Sequence, residues 1–357
     1  MVTAWWLRRS AQLLTAVVMA TIGLVVVTPP AMACACGGMV QPPGNSTTVT
    51  GETALVTQGA GRETIVMSLS AKSDAARAGL LVPTPAPATP ALADRDIFTD
   101  LADQTAPRSK ERHHFFGPPL FFGDHGSSGS DNEARSSPAG VQVLGEVDLG
   151  PLKAVSIKAN NAADLHSWLD SRGFVMSPQF EALVTPYLDK GWAFTAMTLT
   201  AEGKSLTGTL PPVSLEFASD TLVYPMRMSS GAKETQHVRT YVLADHRVER
   251  TDPTATQGQL HTAYADRVRT SLVTSPDLKR LSAGKAWLTE FTQTFDHPGE
   301  QVRSDFTFAR APHDTPVVHY AYRDEYFIPV DVAVLLVVSA AAIAGAIVLI
   351  RRRQRRS

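Results

Sequence analysis

The chain has 357 residues, 44% of them hydrophobic and 19% charged, with 33 Lys+Arg against 34 Asp+Glu and a formal charge of −1. This balance excludes wholesale disorder and a polycationic binder of nucleic acid. Arg8, Arg9 and five arginines of the tail sit at the two ends, so the part between them is mildly acidic and nucleic acid is not expected as its partner.

Arg8-Arg9 precede an apolar run from Leu13 to Val27, followed by Thr28-Pro29-Pro30 and Ala31-Met32-Ala33. A basic start, an apolar core and small residues at −3 and −1 predict a secretory signal peptide over residues 1–33, cleaved before Cys34. Ala31 stands where a lipidation signal has leucine. Cys34 and Cys36 then open the mature chain. Outside the cell neighbouring thiols tend to be oxidised, so a disulfide, a thiol pair or a bond to another molecule all stay open. A Cys-Ala-Cys disulfide would close a small strained ring. Two cysteines supply half of a tetrahedral metal site, and no metal is assigned.

From Glu52 the pattern is that of strands. Thr53–Thr57 and Glu63–Leu69 alternate around the glycine-rich turn Gln58–Arg62, which predicts a hairpin. Gly79-Leu80-Leu81-Val82 runs into Pro83-Thr84-Pro85-Ala86-Pro87, an extended exit, and Asp94–Gln104 follows as a helix with Ile97, Phe98 and Leu101 at helical spacing. Residues 106–140 are rich in Pro, Gly, Ser and charge, with no sustained period, and are predicted as a mobile loop. Inside it His113, His114, Phe115, Phe116, Phe121, Phe122 and His125 form a candidate partner-contact set.

Val141–Val147 and Leu152–Ile157 are predicted as paired strands. Asn161 caps a helix with Leu165, Trp168 and Leu169 on one face, and Ser177-Pro178 opens another that is interrupted at Pro186. Strands resume at Trp192–Leu199, Leu206–Leu210, Val213–Phe217, Leu222–Met228 and Gln236–Leu243. A short helix at Pro276–Leu281 and strands at Trp287–Phe295 and Ser304–Phe308 complete the body, and Val317–Pro329 delivers the chain to the membrane. The order predicts an α+β fold with largely antiparallel sheets and a few packed helices, and it allows two similar lobes.

Val332–Ile350 carries no charge, and its nineteen residues at about 1.5 Å each span roughly 28 Å, close to the hydrocarbon thickness of a bilayer. Residues 328–350 are therefore predicted as a transmembrane helix. Arg351, Arg352, Arg353, Arg355 and Arg356, in the tail 351–357, hold that end on the cytoplasmic face and leave 34–327 outside. The lipid bilayer is thus one expected partner.

No Gly-x-Ser-x-Gly, His-Glu-x-x-His or Gly-x-Gly-x-x-Gly occurs. Gly203-Lys204-Ser205 lacks the first glycine of a phosphate loop, and Ser230-x-x-Lys233 and Ser282-x-x-Lys285 read as turns. No catalytic residue and no cofactor is assigned.

Cys36-Gly37-Gly38 after a signal peptide, the exit Leu81-Val82-Pro83-Thr84-Pro85, the block Asp164–Leu169 ending at Gly173-Phe174, the strand Leu222–Arg227 and Trp287–Phe291 together resemble a bacterial domain-of-unknown-function family, number 2330. The resemblance covers about Cys34 to Arg310. It implies an envelope protein, often with one C-terminal span, and no established activity or catalytic residues. Members often carry extra cysteines where this chain has His and Phe. The expected function is a membrane-anchored, non-enzymatic binding or scaffold domain that meets an envelope protein or wall component. The alternatives are an extracytoplasmic hydrolase or transferase with an unrecognised acid/base site, and a thiol or metal function at Cys34 and Cys36.

Overall fold

The structure, a computed structural model, describes residues 33–34, 37–117, 147–148, 152–200 and 206–355. Strands β1 (Ala33–Cys34), β2 (Gly37–Val40), β3 (Thr47–Gly59), β4 (Arg62–Ser73), β5 (Arg77–Thr84) and β6 (Thr89–Leu92) lead to helix α1 (Ile97–Thr105). Then come β7 (Arg108–Gly117), β8 (Val147–Asp148), β9 (Leu152–Ile157), α2 (Ala162–Asp170) and α3 (Pro178–Asp189). The chain continues through β10 (Ala193–Thr200), β11 (Gly208–Thr209), β12 (Val213–Ala218), β13 (Leu222–Tyr224), β14 (Gln236–Ala244), β15 (Val248–Arg250) and β16 (Gln259–Arg267). It ends with α4 (Pro276–Ser282), β17 (Trp287–Phe295), α5 (Pro298–Gln301), β18 (Phe306–Arg310), β19 (Tyr320–Pro329) and α6 (Val330–Gln354).

A six-stranded sheet runs β1-β2-β5-β10-β9-β8, and an eight-stranded sheet runs β16-β17-β14-β3-β4-β12-β6 with β11 beside β4. Their ladders are antiparallel except for β3 against β14. The β3–β4 hairpin turns on Ala60 and Gly61, at φ of 52° and 71°, the two left-handed residues of the turn whose twist matches paired strands.

Alternation along each strand builds the layers. Ala54 and Val56 of β3 join Leu80 and Val82 of β5 in an interior shared by the two sheets. Leu81 points the other way, under Leu165 and Leu169 of α2 and Phe180, Val184 and Tyr187 of α3. Leu55, Val66 and Tyr241 lie under Ile97 and Leu101 of α1 and Leu278 and Leu281 of α4. The result is a helix–sheet–sheet–helix sandwich, α+β and mostly antiparallel. Among the described residues a three-stranded sheet, β13-β18-β15, joins the interior that the two larger sheets share. The caps form as the sequence predicts, with Asn161 Oδ1 accepting from Asp164 N and Ser177 Oγ from Phe180 N.

The glycines at the start of the body have a steric cause. A Cβ on Gly38 would lie 2.0 Å from Phe180 Cε2, and one on Gly37 would lie 2.5 Å from the Leu81 carbonyl oxygen. Strand β2 thus packs directly under α3. Gly38→Ala is expected to push the Phe180 ring off its site and cost about 1–3 kcal/mol. Thermal unfolding of the full chain in detergent checks this, and a midpoint equal to the parent's would remove the packing argument.

Several regions depart from the expected elements, among them the strand predicted to reach Met228, which ends at Tyr224 and gives way to a 3-10 turn at Arg227–Gly231. Residues 106–117, predicted as the start of a mobile loop, contain β7, which pairs in parallel with β19 from Arg108↔Tyr320 to Gly117↔Pro329. This two-stranded ribbon faces solvent on both sides, so neither strand carries the apolar alternation that marks a half-buried strand. Strand β16 was also not predicted from the sequence. It is an edge strand with a bulge between Thr262 and Tyr264 and few apolar residues. Past Pro329 the chain continues as α6, 25 residues that contain an 18-residue stretch with a mean hydropathy of 2.8, none of it buried. It is long and apolar enough to cross a membrane. Arg351, Arg352 and Arg353 extend its last turn, where their charge suits the helix dipole.

Candidate functional site

Along four neighbouring strands the outer face of the eight-stranded sheet changes character at one level. On β14 the order Leu243, Tyr241, Arg239, His237 passes from apolar to cationic, and on β17 Leu288 gives way to Glu290, Thr292 and Thr294. On β4 Val66 is followed by Ser68 and Ser70, and on β3 Leu55 by Thr53. The apolar half lies beneath α1 and α4. The polar half is open and forms a groove of about 550 Å³ walled by Phe98 of α1, with Thr209 at its far side.

The groove presents hydroxyls and two nitrogen-bearing side chains. His237 Nδ1 lies 3.1 Å from Thr294 Oγ1, and the hydroxyls of Ser70 and Thr209 are 3.2 Å apart. Arg239 Nε lies 3.3 Å from Glu290 Oε1, and its guanidinium donates to the Tyr241 hydroxyl at 3.5 Å. Burial, helped by the Glu290 carboxylate, raises Tyr241 above its ordinary 10, so it stays a neutral hydroxyl. Glu52 is the one carboxylate in the groove lining. Such a surface can accept and donate hydrogen bonds to polyols and pair with an anionic group. The sequence marked none of these residues, because each reads as the solvent face of an ordinary strand until the register aligns them.

The His and Phe residues singled out in the sequence fall on the ribbon. His113 Nδ1 lies 3.4 Å from Glu325 and its Nε2 3.9 Å from Glu111, and His114 Nε2 lies 2.9 Å from Asp324. The donor atoms of Glu111, His113 and Glu325 fall within 4.8 Å of one another, all exposed. Arg323, across the ladder from Glu111, sets a positive charge beside them that opposes a cation. Phe115 meets Phe116 edge-on at 4.9 Å and stacks with Phe327 at 5.8 Å. Phe121, Phe122 and His125 lie outside the described residues, as do Cys36 and Arg356. Cys34 is on β1, in register with Gly37. His166 is exposed on α2. Ser230 Oγ donates to the Arg227 carbonyl and Ser282 Oγ to the Lys279 carbonyl, while Lys285 Nζ reaches Asp245 at 3.4 Å, so these side chains are engaged elsewhere than in a serine–lysine pair.

Buried ionisable groups away from the groove are tied into the fold. Asp252 takes two hydrogen bonds from Arg250, at 2.6 and 2.8 Å, and one from Thr307 N, with both charged side chains 1% exposed. Asp305 Oδ1 accepts from the Tyr187 hydroxyl and from Met226 N and Arg227 N. Glu63 accepts from Val223 N, and burial pushes its carboxyl from the ordinary 4.5 up to about 8.

Among solved structures, baculovirus P35 is similar at 8% identity and a TM-score of 0.37, covering 78% of this chain and 98% of that one. The caspase-8/P35 complex gives 7% identity and a TM-score of 0.30, covering 75% and 94%. Both likenesses are too slight to bear on fold or activity. No curated protein matches the chain. The family model described as an uncharacterized protein conserved in bacteria, DUF2330, matches residues 30–309. With most of the folded body inside that match, the chain belongs to the DUF2330 family.

Proposed function

We propose that the protein is a membrane-anchored binding domain of the bacterial envelope, exported by residues 1–33 and held by α6 with residues 34–327 outside. In this reading the groove on the eight-stranded sheet takes a hydroxyl-rich, acidic wall polymer. The observation that carries it is the change from apolar to hydroxyl and cationic side chains at one level of four strands, which leaves an open groove of about 550 Å³. Arg239 supplies charge and His237 a hydrogen bond for an acidic group, Thr53, Thr292 and Thr294 offer hydroxyls along the floor, and Phe98 gives a flat wall for a sugar ring. A hydrolase or transferase needs a facing pair of acids or an acid and a base, and Glu52, the one carboxylate of the lining, is buried and alternates with Thr53, which turns it to the face of the sheet opposite His237. The arginines in the last turn of α6 favour a cytoplasmic C-terminus.

Co-sedimentation of the detergent-solubilised full chain with purified wall material tests the groove. Arg239→Glu is expected to weaken binding by about tenfold or more, equivalent to about 1.4 kcal/mol. Equal retention of parent and variant would remove the groove from the reading. Protease added to intact cells tests the orientation, with the body digested and α6 spared as the expected result.

A further inference from the structure

The ribbon ends where the span begins. Gly117 and Pro329 close the ladder in register, and α6 starts at the next residue, Val330. At about 3.3 Å per residue, the ten residues of each strand make a stalk roughly 30 Å long between body and helix. Its lower end is aromatic and open to solvent: Phe115 is 63% exposed, Phe116 56% and Phe327 78%. The ribbon's other large exposed hydrophobic rings are tyrosines, with Lys110 over Tyr320 and Arg112 over Tyr322, whereas these three phenylalanines carry no polar group and need a partner.

The geometry of α6 says which partner. Its uncharged run begins after Asp331 and ends before Arg351, and about 20 residues cross a hydrocarbon core of about 30 Å, so Asp331 marks the outer boundary. Phe116 lines one groove of about 300 Å³ with Val334 and Val338 of α6, which lie one and two turns beyond Val330. Any bilayer that covers Val334 and Val338 therefore meets Phe116, and Phe115 and Phe327 sit immediately above it. A close approach fixes this end of the ribbon. A Cβ on Gly117 would lie 2.6 Å from Tyr326 Cβ, so glycine lets the end of β7 lie close against Tyr326.

We propose that the lower end of the β7/β19 ribbon is a second membrane-seating element. Phe115, Phe116 and Phe327 lie in the headgroup–acyl boundary of the bilayer that α6 crosses, where aromatic rings are favoured. This rests on the reading of α6 as a span and goes beyond it. A helix alone would leave the body free to swivel about one flexible joint, whereas two strands seated at the interface set its height and tilt.

The full chain, with Cys34→Ser and Cys36→Ser to leave one labelling site, is given an environment-sensitive fluorophore at Phe327→Cys, at Val337→Cys or at Tyr320→Cys. Each is reconstituted into vesicles of phosphatidylcholine with a minor share of phosphatidylglycerol, with and without lipid carrying a shallow acyl-chain quencher. The expected result is blue-shifted emission and several-fold stronger quenching at 327 and 337 than at 320, where the same dye reports its own affinity for lipid. Quenching at 337 with 327 matching 320 overturns the seating and leaves the span intact. No quenching at 337 overturns both. A label at Phe115→Cys, which leaves Phe116 and Phe327 in place, must agree with the label at 327. With both cysteines kept, Phe327→Trp and brominated lipid give the same test, and an added tryptophan emission that lipid bromine does not quench also overturns the seating.

Discussion

Asp252→Ala is expected to lower the unfolding midpoint of the full chain in detergent by roughly 6–15 °C, corresponding to a loss of about 3–5 kcal/mol. The Arg250 guanidinium lies 3.3 Å from the Phe306 ring and is 1% exposed, so it has no route to water once its carboxylate is gone. Burial already lowers the Arg250 pKa from its ordinary value, against the pull of Asp252. Removing the acid leaves a charge with Gln293 Oε1, at 3.0 Å, as its one polar side-chain partner among the described residues and strands the Thr307 amide. Replacing both members, as Arg250→Met with Asp252→Leu, is expected to recover part of the loss, because two apolar side chains of similar volume need no pairing. Near-UV circular dichroism during heating gives the midpoints. A single variant melting within about 2 °C of the parent would show that the pair is not holding this corner of the fold.

The second large effect is on the pH profile. The Glu63 carboxyl titrates near 8 in the folded chain against an ordinary 4.5, so between these values the unfolded chain gives up a proton that the folded chain keeps. Its contribution to stability is complete below about pH 4.5 and declines as pH climbs through 8, at up to about 1.4 kcal/mol per unit. Glu63→Gln, a neutral isostere that can still accept from Val223 N, removes this slope. The variant should match the parent at pH 4.5 and exceed it by roughly 3–5 kcal/mol at pH 8.5. Parallel denaturation curves with the same pH slope would place the burial of Glu63 in doubt.

What was legible in the sequence is what short-range chemistry specifies. Gly61 at the hairpin turn, Asn161 and Ser177 at helix starts, and the uncharged run before Arg351 each act within a few residues, and each appears where the pattern puts it. The groove was not legible in this way. His237 and Arg239 alternate with buried Val238 and Thr240 as any half-exposed strand does. Their meaning comes from β3 lying parallel to β14 and from α1 stopping short of them, both long-range facts. The ribbon escaped for a related reason. Arg108–Gly117 is charged and aromatic with no buried face, and its partner stands far down the chain. Register also produced one grouping that spacing concealed, bringing Glu325 beside His113.

That separation matters while the chain is being made. His114 and Asp324, bonded across the ribbon, are 210 positions apart, so at 5–20 residues per second the ribosome delivers the second strand about 10–40 s after the first. Through that interval residues 108–117 offer a bare strand edge with two phenylalanines to any neighbouring nascent chain. Arg108, Lys110, Glu111 and Arg112 act as gatekeepers over this window, because charges spaced along an unpaired edge discourage it from templating another. Exchanging those charges for apolar residues would show first as poor yield, before any change in the finished molecule.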